Sequence, residues 1–199
     1  MKSDTRNRIV TQTAELLRIR GYAATGMQQI VKAAGSPFGS LYHHFPGGKA
    51  EIAAEAIRTV GGAYVEPLVE IIDSEPDLLD GVRTFFRIAG EHLETSGYAD
   101  ACPIATVALE VASTNERLRQ ATAEVFDGWL SQGTAYFVGR GLSEQTSRGL
   151  TVALISALEG AFVLARATRR LEALSLGGDL VCAWLQAQED FPAVRRRLG

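Results

Sequence analysis

Cysteine is scarce. Cys102 and Cys182 are the two in 199 residues. They lie far apart and form no CxxC pair, so the chain spells out neither a disulfide framework nor a thiolate metal site. Two buried thiols in a reducing compartment are the plain reading. The start, MKSDTRNR, is polar and lacks the apolar stretch of a signal peptide. The longest apolar run, residues 150–165, is interrupted by Glu159 and, at about 16 residues, falls short of the roughly 20 that span a bilayer. Strand patterns are nearly absent, as are low-complexity tracts and internal repeats. No nucleophile elbow, P-loop, dinucleotide fingerprint, HExxH motif or zinc-ligand cluster is found. These absences argue against an enzyme and call for no cofactor and no metal. A soluble cytoplasmic protein without a membrane partner is expected.

What is present is apolar and helical. Hydrophobic residues make up 46% of the chain and charged residues 22%, enough to bury a core and too little charge for general disorder. The net charge of -3 is unevenly spread. Residues 1–58 carry eight Lys/Arg (Lys2, Arg6, Arg8, Arg18, Arg20, Lys32, Lys49, Arg58) against four acids (Asp4, Glu15, Glu51, Glu55). A basic head on an acidic body suits a polyanionic partner. The Arg195-Arg196-Arg197 tail reads as a solvated end.

Helical spacing recurs along the chain. Ile9, Thr13, Leu16 and Leu17 line one face of a helix that Gly21 stops. Thr25 and Gln28 read as a capping box opening a short helix, in which Ile30, Val31 and Ala34 face inward and Gly35 ends the turn. Ser36-Pro37 reads as an N-cap with proline at the first helical position, and Phe45-Pro46 closes that third helix. A long helix is expected from Lys49 to about Ile72, then others over 77–96, 103–112, a stretch holding Leu118 to Tyr136, 144–170 and 176–188. The expected class is all-α: a three-helix head over 1–48 and a larger helical body over 49–199, about nine helices in total.

Three helices in the first 45 residues, the second and third short and joined by one glycine, make a helix-turn-helix pattern. The third would enter the major groove. Glycine at 39 costs about 1 kcal/mol relative to alanine in a helix, a cost that close backbone approach to DNA can offset. Leu41 and Phe45, four apart, anchor the helix. Ser36, Pro37, Phe38, Ser40, Tyr42 and His43 fall on or near its outer side. The Ser and Tyr hydroxyls suit phosphates, and Phe38 or Pro37 suits thymine methyls. Lys49 opens a helix, where the macrodipole disfavours a cation unless a phosphate sits beside it. His43 and His44 point about 100° apart on a helix and do not readily share a metal; His44 suits packing, a hydrogen bond or a phosphate.

The stretch ATGMQQIVKAAGSPFGSLYHHFPGGKAEI resembles the DNA-binding domain of the TetR family of transcriptional regulators. Thr25, Ile30, Ala34-Gly35, Gly39, Leu41-Tyr42, His44-Phe45 and Lys49 carry the resemblance. SPFGSLYHHFPGGK, CPIATVALEVA and LEGAFVLARA extend it to the LmrA/YxaF-like branch. The resemblance implies a homodimer whose heads each read one half-site of double-stranded operator DNA, and whose bodies dimerise and take up a small-molecule inducer. It also implies that Thr25, Ser36, Gly39, Tyr42, His44 and Lys49 stand at DNA-contact positions. Two departures matter. Pro37 and Phe38 replace the small polar and basic residues common before Gly39, so base preference does not transfer. The extra glycine of Gly47-Gly48 lengthens the turn before Lys49.

In the body, residues 150–165 are apolar nearly all round, with Ser156, Ala157, Gly160 and Ala161 small enough for close helix approach. This helix and 176–188 are expected to form a two-fold interface; the competing reading is a monomer core. His92, Glu110 and Glu159 are polar groups on apolar helices, each facing either a ligand or an internal partner such as Arg87 or Arg166. Phe86, Phe126, Trp129 and Phe162 wall either a lipophilic cavity or the core, as do Phe85 and Tyr136. The helix beginning at Lys49 is the natural lever between ligand and DNA. Two other readings stay open: a DNA-binding dimer without an inducer, and a helical enzyme.

Overall fold

The computed structural model describes residues 2–100 and 102–191. The Arg195-Arg196-Arg197 tail lies outside the described residues. Within them are ten helices and no strand. The helices are α1 (Lys2–Arg20), α2 (Met27–Ala34), α3 (Phe38–His44), α4 (Gly48–Gly61), α5 (Val65–Asp73), α6 (Leu78–Thr95), α7 (Pro103–Val111), α8 (Glu116–Gly139), α9 (Glu144–Thr168) and α10 (Glu172–Gln186). The all-α class therefore holds. The tenth helix arises because the helix expected from Lys49 to Ile72 is two helices. α4 stops at Gly61-Gly62, and a Cβ on Gly61 would lie 2.4 Å from Val125 Cγ1. The segment expected to act as a lever is thus two helices, not a continuous rod.

The chain forms two compact units. The first comprises 1–63 with 101–127, the second 64–100 with 128–199. α7 and the first half of α8 thus belong with the helix-turn-helix segment. In sequence that unit holds ten Lys/Arg and eight acids, so its positive excess is smaller than residues 1–58 alone suggest.

In the first unit α1 is the spine, packing on α2, α4 and α7. Its Ile9, Val10, Thr13, Ala14 and Leu17 are buried, and Leu16 is half-buried. Ile52, Ala53, Ala56 and Ile57 of α4 and Ile104, Val107 and Val111 of α7 complete the core. Gly35 ends α2 in the left-handed conformation (φ 56°), where a side chain would be strained. α7 opens with Pro103, and the Cys102 sulfur accepts the Ala105 amide at 3.5 Å.

The second unit has its own core, with Ile72, Leu79, Val82, Phe86, Leu93, Phe137, Leu150, Leu154, Val181 and Leu185 all buried. α10 packs on both α9 and α6. Asp77 caps α6, accepting the Leu79 amide at 2.8 Å, and Ser143 caps α9, accepting the Thr146 amide at 3.2 Å. α5 and α6 approach so closely that a Cβ on Gly81 would lie 2.5 Å from the Ile72 carbonyl oxygen. Backbone cannot step aside as a side chain can. Gly81→Ala is expected to destabilise the protein by about 1–3 kcal/mol through overpacking, although alanine in a free helix gains about 1 kcal/mol over glycine. Urea unfolding followed by circular dichroism measures the sign; an unchanged or raised midpoint would show that α5 yields.

Candidate nucleic-acid interface

α3 has only seven residues, so its position is imposed by what it packs against. Leu41 and Phe45 are fully buried. The Arg6 guanidinium lies 5.1 Å from the centre of the Phe45 ring and pairs with Glu55 of α4. Arg8 Nε donates to the Ala34 carbonyl at 2.7 Å, tying α1 to the end of α2. α1 and α4 thereby hold α2 and α3 in place.

The opposite side of α3 is open. Pro37, Phe38, Gly39, Tyr42 and His43 are exposed, and Ser40 and His44 are half-buried. Phe38 is 42% and Tyr42 52% exposed, a large outlay of aromatic surface for so short a helix. A Cβ on Gly39 would meet nothing within 4 Å, so no internal packing demands glycine there. The rings of His43 and His44 meet edge to face at 5.2 Å, and His44 approaches Phe45 at 6.4 Å.

Two sequence-derived positions are not surface groups. Thr25 is buried, and its hydroxyl donates to the Gly21 carbonyl at 2.7 Å. The cap of α2 is Gly26, one residue later than expected, with the Gln29 side chain accepting the Gly26 amide at 2.8 Å. Thr25 fails to cap because its hydroxyl is already engaged with the turn behind it. Ser36 is also buried. Its hydroxyl has no hydrogen-bond partner among the described residues, and Pro37 stands at the cap of α3.

Lys49 is half-buried at the start of α4, its ammonium 4.0 Å from the centre of the Tyr22 ring. Burial lowers its pKa, and the Glu110 carboxylate opposes that shift. Several other cations of the head have partners: Arg6 with Glu55, Arg8 with Asp4, Arg18 with Glu15 and Arg58 with Glu124. Arg20 and Lys32 are exposed.

The residues expected at a ligand site scatter. Glu110 and Phe126 belong to the first unit, and Phe86, His92, Trp129, Glu159 and Phe162 to the second. Phe86 is fully buried and Phe162 packs against the same core. His92 is exposed and not in apolar surroundings, because it lies on the outer side of α6. Glu110 too is exposed, and its carboxylate accepts the Ala23 amide. Phe126 and Glu159 are half-buried, and Trp129 meets Tyr64 edge to face at 5.8 Å. An open groove of about 950 Å³ on the second unit is lined by α9 residues including Arg148, Val152 and Ser156, and by Trp184 of α10. None of the seven residues lines it.

Comparison with known proteins agrees with this geometry. Residues 9–56 match the family described as bacterial regulatory proteins, tetR family. Residues 79–179 match the C-terminal domain of LmrA/YxaF-like transcriptional regulators. The chain is 34% identical over 176 residues to an HTH-type transcriptional regulator of Mycobacterium tuberculosis, covering 86% of this chain and 89% of that one. It is 32% identical over 164 residues to the HTH-type transcriptional regulator YxaF of Bacillus subtilis, covering 82% and 85%. The crystal structure of a TetR regulatory protein from Rhodobacter sphaeroides shares the fold, with a TM-score of 0.73 at 23% identity over 89% of this chain and 96% of that one. These relatives are regulators and not enzymes. The chain belongs to the TetR family of DNA-binding transcriptional regulators, in its LmrA/YxaF-like branch.

Proposed function

We propose that the protein is a cytoplasmic homodimeric repressor whose two α3 helices enter successive major grooves of an operator and are released by a small, largely apolar molecule. The observation that carries the DNA side is the open face of α3: exposed Phe38 and Tyr42 flank unobstructed Gly39, on a helix anchored from behind by Leu41 and Phe45. In this reading Pro37, Phe38, Gly39, Ser40, Tyr42, His43 and His44 meet the groove or its phosphates, and Lys49 takes a phosphate at the start of α4. The buried Thr25 and Ser36 serve the same interface by shaping the turns on either side of α2. DNA reading thus falls to the head over 1–48 together with Lys49 at the start of α4, and dimerisation and ligand uptake to the rest of 49–199.

The dimer reading rests on α9 and α10. α9 has 25 residues and is long and apolar enough, by length and composition, to cross a membrane, because the helix extends well beyond the 150–165 run. It also has a packed face, since Leu150, Thr151, Leu154, Ala161 and Ala165 are buried. Its remaining apolar surface, Val152, Val163 and Leu164, is exposed, as are Leu176 and Leu180 of α10. A second copy covers such a surface under two-fold symmetry, at the place where the residue pattern put the interface.

The half-buried Phe126, Trp129, Glu159 and Phe162 suit a lipophilic cavity, with Glu159 favouring a cationic group. A dimer that binds DNA without an inducer is favoured by the full burial of Phe86 and by the internal bond of Glu110.

Tyr42→Ala is expected to weaken operator binding by roughly tenfold, the scale of one good base or phosphate contact, while the circular dichroism spectrum stays unchanged. Unaltered affinity in a gel shift would remove α3 as the reading helix. Replacing Leu180, 69% exposed, with Asp is expected to shift the protein toward monomer in sedimentation velocity. An intact dimer would place the interface elsewhere.

A further inference from the structure

The turn between α1 and α2 is a junction of four helices. Gly21 adopts φ 72°, and its amide donates to the Leu17 carbonyl at 2.9 Å. Thr25 closes the other side, its hydroxyl bonded to the Gly21 carbonyl and its amide 3.2 Å from the Tyr22 carbonyl. Into this turn α7 inserts one carboxylate. Glu110 Oε2 accepts the Ala23 amide at 2.7 Å, and Oε1 occupies the space a side chain on Gly21 would need, 1.9 Å from a Cβ placed there. Tyr22, between the two residues that Glu110 touches, carries the Lys49 ammonium over its ring. The buried Ile104, Val107 and Val111 hold α7 in the core of the unit, so the carboxylate is presented from a fixed support.

We infer that Glu110 is a positioning residue for operator binding, acting on Lys49 through the Gly21-Tyr22-Ala23 turn. The inference rests on the reading of Lys49 as a phosphate contact. Glu110 does not touch DNA in this scheme. It holds the turn, the turn holds the Tyr22 ring, and the ring holds the ammonium at the head of α4 where a phosphate reaches it. Without the Ala23 bond the turn keeps its left-handed glycine but loses its tie to α7, and Lys49 loses a fixed seat. The carboxylate also stands as a negative charge near the same ammonium, so it does not act as an attractive group for DNA. Its contribution is geometric.

The test separates the hydrogen bond from the charge. Glu110→Gln keeps an acceptor for the Ala23 amide and removes the charge; Glu110→Ala removes both. The probe is a duplex selected from sheared genomic DNA by the unmodified protein, titrated over a range of salt concentrations. Glu110→Ala is expected to bind roughly three- to tenfold more weakly, as for a weakened charge-assisted contact, with the salt slope reduced by up to about one unit. Glu110→Gln is expected to bind at least as tightly as the unmodified protein, with the full slope. Hydrogen exchange at the Ala23 amide should quicken in the Ala variant and stay slow in the Gln variant. A purely structural role would lower the melting temperature of Glu110→Ala and leave its salt slope intact, and that result overturns the inference, as does a Gln variant that behaves like Ala. Lys49→Gln, run alongside, is expected to reduce the slope by about one unit. An unchanged slope there overturns the phosphate reading and this inference together, whereas a reduced slope with an unaffected Glu110→Ala overturns this inference alone.

Discussion

A helix of seven residues cannot hold itself together in water, because the cost of nucleation is not recovered over so few hydrogen bonds. α3 persists because Leu41 and Phe45, one turn apart, are fully buried. Their burial contributes about 1.5–3 kcal/mol each on transfer scales, and it fixes the helix in rotation as well as position. Everything outward on α3 follows from that constraint. With packing confined to one edge, Phe38, Gly39 and Tyr42 carry no structural duty and can serve recognition. The rest of the first unit supports the same two residues: Arg6 lies across the Phe45 ring, and Arg8 braces the end of α2.

The head was largely legible in the residues because its signals are local. Gly35 in left-handed backbone, Phe45 before Pro46, and the spacing of Ile9, Thr13 and Leu17 each specify their surroundings within a few positions. What could not be read depends on partners distant in sequence. Helical spacing runs on through Gly61-Gly62, where α4 ends, and the glycine at 61 lets Val125 pack close. Thr25 and Gln28 fit a capping pattern, but the Thr25 hydroxyl turns back to Gly21 and the cap moves to Gly26 and Gln29. Glu110 showed only as a carboxylate on an apolar helix. Its bond to Ala23 spans 87 positions, and no local pattern announces it. The residues expected at a ligand site are the least legible, because an aromatic at helical spacing serves a core and a cavity equally well.

The two units divide differently from the roles read along the chain. α4 and α7, assigned to the body by position, pack with the helix-turn-helix segment. On the proposed reading, the surface that meets DNA is adjusted from α7 through one polar contact. The α1–α2 turn is where such a contact is found. The second unit is organised otherwise, around a core of large apolar side chains with its polar capping groups, Asp77 and Ser143, at the helix starts.

The arginines of the head have a consequence for how the protein moves through a genome. Arg6, Arg8, Arg18 and Arg58 each pair with a carboxylate of their own unit. Cations engaged in this way displace few counterions from a duplex, so the indiscriminate, charge-driven grip on DNA is smaller than the count of basic residues implies. On the proposed reading, occupancy of an operator then leans more on how well the aromatic face of α3 fits that one site and less on the salt around it.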